Sequence, residues 1–251
     1  MNIQLNIPTT WNKLPPNTLK KIAWYFHKNK TGKELDLLIY FAILNIRWWQ
    51  LKKIFNAFRT LKQVTINELK NHYSFLYNEM NLTKFISSIK IKNSILVAPG
   101  DRLHNITIEE FAICEDLHWF YTTTNNINYL KHIVAVLYRK QVNGKKTPFF
   151  KSELETEASK INKLNAKTLL AIALCYKGSS LEIQSSYPSI FKKTKPTATT
   201  NKKKKPTPPG FGNLIQQMAG EKFGNLEETK KTNVHDFLSE YAILLQNKTL
   251  K

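Results

Sequence analysis

The chain has 251 residues, with 38 Lys and Arg against 18 Asp and Glu, a formal net charge of +20. That length suits one large domain or one domain with an appendage, and a composition 42% hydrophobic and 12% aromatic supplies enough core to exclude a wholly disordered chain. The 8 glycines form no Gly-x-Gly-x-x-Gly or Gly-x-x-x-x-Gly-Lys-Ser/Thr run, which removes the usual support for a phosphate-cradling nucleotide enzyme.

Met1 to Thr10 lacks the basic start and continuous apolar centre of a secretory signal, so export by that route is not expected. Pro15-Pro16 then precede Leu19, Ile22, Ala23 and Phe26, a helical spacing that begins where proline is tolerated. Gly32 separates this helix from one over Glu34 to Ile46, whose apolar run from Leu37 is too short to span a bilayer. A third helix over Trp48 to Phe58 places Leu51, Ile54, Phe55 and Phe58 on one face. Thr65-Ile-Asn-Glu68 fits a capping box, in which the Thr hydroxyl and the Glu carboxylate each accept from an orphan backbone amide, and predicts a helix through Leu69, Tyr73 and Leu76. Residues 85–98 hold Ile89, Ile91 and Ile95-Leu96-Val97 and predict one short β-hairpin, turned out at Pro99-Gly100-Asp101.

A second capping box, Thr107-Ile-Glu-Glu110, opens a helix carrying Phe111, Cys114 and Leu117 and ending at Asn125-Asn126. Asn128 to Arg139 makes the antiparallel mate of that helix. Gly144-Lys145-Lys146 reads as a loop, Ser152 to Lys160 as a charged segment, and Lys167 to Tyr176 as an apolar helix terminated by Gly178. Lys192 to Gly210 has seven lysines, four prolines and no acid, the composition of an extended, flexible basic linker. Beyond it Phe-Gly-Asn-Leu occurs at 211–214 and 223–226, each a Gly turn with an Asn able to cap the next segment. The chain closes with a helix over Asn233 to Gln246. The expected architecture is thus all-α: a multi-helix domain over 1–191 with one short hairpin, the linker over 192–210, and a small helical module over 211–251.

Little chemistry accompanies these elements. Cys114 and Cys175 are solitary and read as small buried hydrophobes. Six histidines form no His-Glu-x-x-His or His/Cys cluster. His118 near Glu115-Asp116 has the makings of an acid–base pair but reads better as a polar helix face, and Asp236 beside His235 reads as a helix-start acid. No catalytic residue, metal or cofactor is expected.

Two interaction surfaces stand out instead. Val234, Phe237, Leu238, Tyr241 and Leu245 form an apolar stripe on a tethered helix that must bury it against something, and a partner protein is the expected cover, as a helix in a groove. The charge is also lopsided: residues 1–100 hold 15 basic and 4 acidic residues. Lys20, Lys21, Lys28, Arg47, Lys52 and Lys53 interleave with Trp24, Tyr25, Trp48 and Trp49, a pattern that would attract phosphates and stack on bases, with Lys202, Lys203, Lys204 and Lys205 as a second basic run. Against this, Trp24, Phe26, Trp48 and Phe55 facing inward, with lysines outside, explains the same residues. Trp48-Trp49 beside Lys52-Lys53 also suits a bilayer interface, but a membrane is not the expected partner.

Trp11-Asn12-Lys13-Leu14, Thr107-Ile-Glu-Glu-Phe111 leading to Trp119-Phe120-Tyr121, Leu137-Tyr138-Arg139, Tyr187-Pro188 before Phe191, and Phe223-Gly224 together give the chain a layout of aromatic anchors. That layout resembles helical proteins of tailed-bacteriophage tail-morphogenesis modules, tail assembly chaperone-like or minor virion proteins. No functional residue carries over. The resemblance implies a non-enzymatic assembly factor or structural component of the virion, found in the host cytoplasm during assembly or in the particle. Its partners would be other phage tail or virion proteins or a second copy of the chain. Binding of nonspecific nucleic acid through the basic 1–100 region and the lysine-rich linker is the competing expectation.

Overall fold

Pro16 opens the first helix, where its missing amide costs nothing, and Asn29 at φ +50° turns the chain out of it. The computed structural model describes residues 7–46, 49–78, 80–191, 208, 210–220 and 222–249. Among these stand eleven α-helices and two short two-stranded antiparallel sheets, so the fold is mostly all-α. Two units are distinguished, Met1–Leu82 with Asn165–Gly178, and Thr83–Leu164 with Ser179–Lys251.

In the first unit α1 (Pro16–His27) and α2 (Gly32–Ile43) pack through Leu19, Ile22 and Ala23 against Leu35, Ile39 and Ile43, all buried. The buried Thr18 hydroxyl donates to the Ala42 carbonyl at 3.1 Å, and Trp11 sits edge-on between Phe26 and Phe75 at ring distances of 6.3 and 6.1 Å. α2 stops at Ile43, short of the expected Ile46, because Asn45 adopts φ +47°. α3 (Leu51–Gln63) begins three residues later than expected and runs five further. α4 (Ile66–Asn71) carries the Thr65–Glu68 capping box, with both reciprocal bonds formed at 3.1 and 3.3 Å. Buried Asp36 is held by the Tyr77 hydroxyl and by Lys70 Nζ at 3.7 Å.

The second unit contains the expected hairpin, β1 (Ser88–Ile91) and β2 (Ser94–Val97), in the register Ser88↔Val97 and Ile91↔Ser94. α5 (Ile108–Thr124) opens on the Thr107–Glu110 box and ends at Asn125, left-handed at φ +53°. α6 (Asn128–Leu137) packs along it. Residues 141–146, expected as a loop, form a second hairpin of β3 (Gln141–Val142) and β4 (Lys145–Lys146). Asn143 and Gly144 turn it at φ +50° and +76°, the two positive dihedrals a tight hairpin turn demands. α7 (Leu154–Lys160) comes next.

Gly178 does not terminate a helix. α8 (Ala166–Ser186) runs through it, its first turns supplying Leu169, Ile172 and Tyr176 to the core of the first unit. A Cβ at Gly178 would lie 2.2 Å from the Leu82 carbonyl oxygen, so the glycine serves a close backbone approach.

The C-terminal segment does not stand apart as a module over 211–251. α9 (Phe211–Met218), α10 (Leu226–Lys231) and α11 (Val234–Thr249) all pack on α5 within the second unit. Phe211 meets Phe111 edge-on at 5.3 Å. The backbone is sewn in by Ile108 N–H to the Thr232 carbonyl at 2.9 Å and Val234 N–H to the Ile106 carbonyl at 3.1 Å. The first Phe-Gly-Asn-Leu lies inside α9 and makes no turn, whereas the second turns at Gly224 and caps α10 with Asn225. The expected linker lies outside the described residues except for Pro208 and Gly210.

Candidate interaction surface

α3 is the most amphipathic of these elements in a particular way: its apolar residues exceed what its neighbours cover. Ala57 is buried, with its carbonyl accepting from the Tyr40 hydroxyl at 3.3 Å, and Ile54 and Leu61, on the same helical row, are half-buried. The next row is left outside. Leu51 is 72% exposed, Phe55 70% and Phe58 52%, and Trp49, just before the helix, is 56% exposed. Residues 51, 55 and 58 are spaced i, i+4, i+7 and so lie along one line of the helix. Phe58 touches Phe41 at a ring distance of 5.4 Å, which fixes the inner edge of the strip.

Lys52, Lys53, Arg59 and Lys62 occupy the remaining outer positions, all exposed, and no Asp or Glu occurs within Leu51–Gln63. Lys52, Arg59 and Lys62 run along the outer side of that row, at i, i+7, i+10 spacing. The surface is therefore a narrow apolar strip with a basic border. The expectation that Phe55 faces inward is corrected: Ala57 and its row take the inward positions, and Phe55 is turned away from them. Sequence spacing groups Leu51, Ile54, Phe55 and Phe58 on one face; the structure keeps Leu51, Phe55 and Phe58 together outside and sets Ile54 on the inward row.

The other candidate residues are placed differently. Val234, Phe237 and Leu238 are fully buried, with Phe237 stacked on Phe223 at 5.3 Å, so the stripe expected to meet a partner is covered by the chain itself. Tyr241 and Leu245 are half-buried. α5 and Phe223 of the α9–α10 connection take part in the cover, which the apolar periodicity of α11 alone could not reveal. Lys20 and Lys21 are half-buried. Lys28 is exposed, but its ammonium lies 4.8 Å from the Trp24 ring centroid, with Lys167 at 5.8 Å, so Trp24 is engaged by cations as a packing element. Lys52 belongs to the α3 border, whereas Lys53, also exposed, lies on the opposite side of the helix. Arg47, Trp48 and Lys202, Lys203, Lys204 and Lys205 lie outside the described residues.

The second unit holds a buried ionic cluster absent from the sequence-based expectations. Glu110, the capping-box acid of α5, pairs with Arg139, and Lys146 from β4 donates to the Leu137 carbonyl at 2.5 Å. Arg139 contacts the carboxylate directly, and Lys146 feels it only through space. Burial, aided by the charge of Arg139, pushes the Lys146 amine down to about 8, and burial also lowers the Arg139 guanidinium against the opposing pull of Glu110. Cys114 beside them is buried, its thiol raised by desolvation and then by Glu110. Arg139, Lys140, Glu153 and Glu157 also rim a cleft of about 120 Å³, where both signs of charge meet. The Asn143-Gly144 turn that brings Lys146 into this cluster was the available signal.

The histidines take structural partners. His235 Nε2 lies 3.1 Å from the Arg102 carbonyl and Nδ1 3.4 Å from the Tyr187 hydroxyl, while the Glu115 carboxylate accepts from the Ser180 hydroxyl at 2.6 Å. Among the described residues no three His, Cys, Asp or Glu side chains group to hold a metal ion, and no helix is long and apolar enough to cross a membrane. No family model matches the chain, and neither a curated protein nor a solved structure does.

Proposed function

We propose that this chain is a non-enzymatic protein–protein assembly factor or structural component of a tailed-phage virion, acting in tail morphogenesis, and that α3 is its contact surface. The single observation carrying the interaction role is the contiguous exposed row of Leu51, Phe55 and Phe58. Scattered exposed apolar residues are ordinary on a soluble protein, but a contiguous row beside an exposed tryptophan is what partner sites use. The virion context rests on the aromatic layout described above. The docking role expected of the α11 stripe passes to α3.

A photo-crosslinking amino acid at position 55 of the full chain, expressed together with the products of the neighbouring genes, should give a protein–protein adduct. The double variant Leu51→Asp, Phe55→Asp should lose it while keeping the wild-type circular dichroism. No protein adduct from position 55, or capture unaltered by the double variant, would refute the assembly role of α3. The exposed Lys52, Arg59 and Lys62 beside Phe55, with Trp49 just before the helix, also favour a second function, nucleic-acid binding by phosphate attraction with base stacking. A gel shift that weakens steeply with salt, without a protein adduct, would select it.

A further inference from the structure

Building on the assembly role of α3, we infer that the occupant of its exposed face is an acidic amphipathic helix of a partner protein. Three observations on the surface narrow the occupant.

The strip is one row wide. Its inner neighbours Ile54, Ala57 and Leu61 are turned toward the chain's own core, and its outer neighbours Lys52, Arg59 and Lys62 are cations. One ridge of apolar side chains with a polar outer border is the shape that a single partner helix covers with its own i, i+4, i+7 anchors. A helix lying in a bilayer interface needs a broad apolar face, and here half of that face is already spent inward. At 13 residues, α3 is about 20 Å long, the length of three to four turns of a partner helix.

The border is of one sign. Three cations flank the strip and α3 carries no carboxylate, which favours a partner whose flanking positions are Glu or Asp, since opposite charges across such an interface set partner choice and like charges oppose it.

The same charges argue against a second copy of the first unit. α3 facing α3 sets Lys and Arg against Lys and Arg in either direction. The described carboxylates of that unit are already engaged: Glu34 with Lys30 at 2.6 Å, Asp36 with Lys70 and the Tyr77 hydroxyl, and Glu68 in the α4 capping box. Among its described residues the unit has no unengaged acid to offer its own border.

The test uses the full chain and two 18-residue fluorescent peptides with identical leucines at i, i+3, i+4 and i+7, one filled out with Glu and one with Lys. The acidic peptide should bind at least tenfold more tightly than the basic one, with the difference shrinking at high salt. The triple variant Lys52→Glu, Arg59→Glu, Lys62→Glu should invert that preference, and Leu51→Glu, Phe55→Glu should abolish both. Equal affinity for the two peptides, or a preference that survives the triple variant, overturns the inference. It is likewise overturned if an oligothymidylate or phosphatidylserine vesicles, but not the acidic peptide, change Trp49 fluorescence, or if sedimentation shows a dimer that Phe55→Glu dissociates. The position-55 crosslink separates this inference from its premise. An adduct on a neutral or basic partner segment sinks the acidic helix and leaves the assembly role standing, whereas no protein adduct sinks both.

Discussion

Gly178→Ala pits a local gain against a long-range clash. In a helix interior, replacing Gly with Ala ordinarily stabilises by about 1 kcal/mol through propensity. At Gly178 the new Cβ would stand 2.2 Å from the carbonyl oxygen and 2.9 Å from the carbonyl carbon of Leu82, where ordinary contact begins near 3.4 Å. The obstacle is backbone, so no rotamer change relieves it, and α8 or residue 82 must move by roughly 1 Å through a close-packed core. Overpacking of this kind costs about 1–3 kcal/mol, and more where side chains cannot yield, which outweighs the propensity gain. The expected outcome is a net loss of about 2 kcal/mol and a midpoint lower by roughly 10 °C for a unit of about 100 residues, read from thermal melts followed by circular dichroism. Gly212→Ala is the control, since Gly212 lies within α9 and a methyl group there would meet nothing inside 4 Å, and it should gain about 0.5–1 kcal/mol. A neutral or stabilising Gly178→Ala, with Gly212→Ala behaving as expected, would refute the assignment of Gly178 as a packing glycine.

The placement of two other groups sets further outcomes. Phe237→Ala should cost about 3–5 kcal/mol in urea unfolding, as a fully buried aromatic, while Phe55→Ala should stay within about 0.5 kcal/mol. A comparable loss at Phe55 would mean that the α3 face is already covered. Stability should rise between pH 8 and 10, because burial holds Lys146 at about 8 in the folded chain against an ordinary 10.5, so the unfolded chain binds more protons in that window. The rise is up to about 3 kcal/mol by linkage, less any relaxation around Arg139, Glu110 and Cys114. Lys146→Met should flatten it, and an unchanged slope in denaturation measured across that range would exclude Lys146 as the cause.

How much of the fold is legible in the sequence depends on how far apart the interacting groups lie along it. The Thr65–Glu68 and Thr107–Glu110 boxes are visible because each partner is three residues from the other. The hairpin at Ser88–Val97 shows through its branched residues, whereas β3 and β4 are two residues each, Gln141-Val142 and Lys145-Lys146, leaving Asn143-Gly144 as their one signal. Gly178 looks like a helix stop because its reason, Leu82, is remote in the chain. The same limit governs the candidate site. α3 and α11 are both amphipathic, and periodicity reports that a face is apolar without reporting what covers it. Periodicity thus puts the interaction surface on α11, whose Val234, Phe237 and Leu238 the chain buries, and lets Phe55 of α3, which is exposed, be read as facing inward.

That exchange changes how the two functional readings stand toward each other. With the docking stripe on α11 and the cations in residues 1–100, assembly and nucleic-acid binding would draw on opposite ends of the chain. The covered α11 stripe and the exposed α3 row bring them onto one helix, where Leu51, Phe55 and Phe58 adjoin Lys52, Arg59 and Lys62. Each anchor left in water forgoes up to about 1.5–3 kcal/mol of burial, and each cation near an anionic partner adds attraction that salt removes. A nucleic acid draws mainly on the second contribution, through phosphates and stacked rings, and leaves the aliphatic Leu51 little to do. A protein helix draws on both. Truncating Leu51 while all four cations remain therefore separates the two functions on the surface they share: protein capture falls, and phosphate attraction does not.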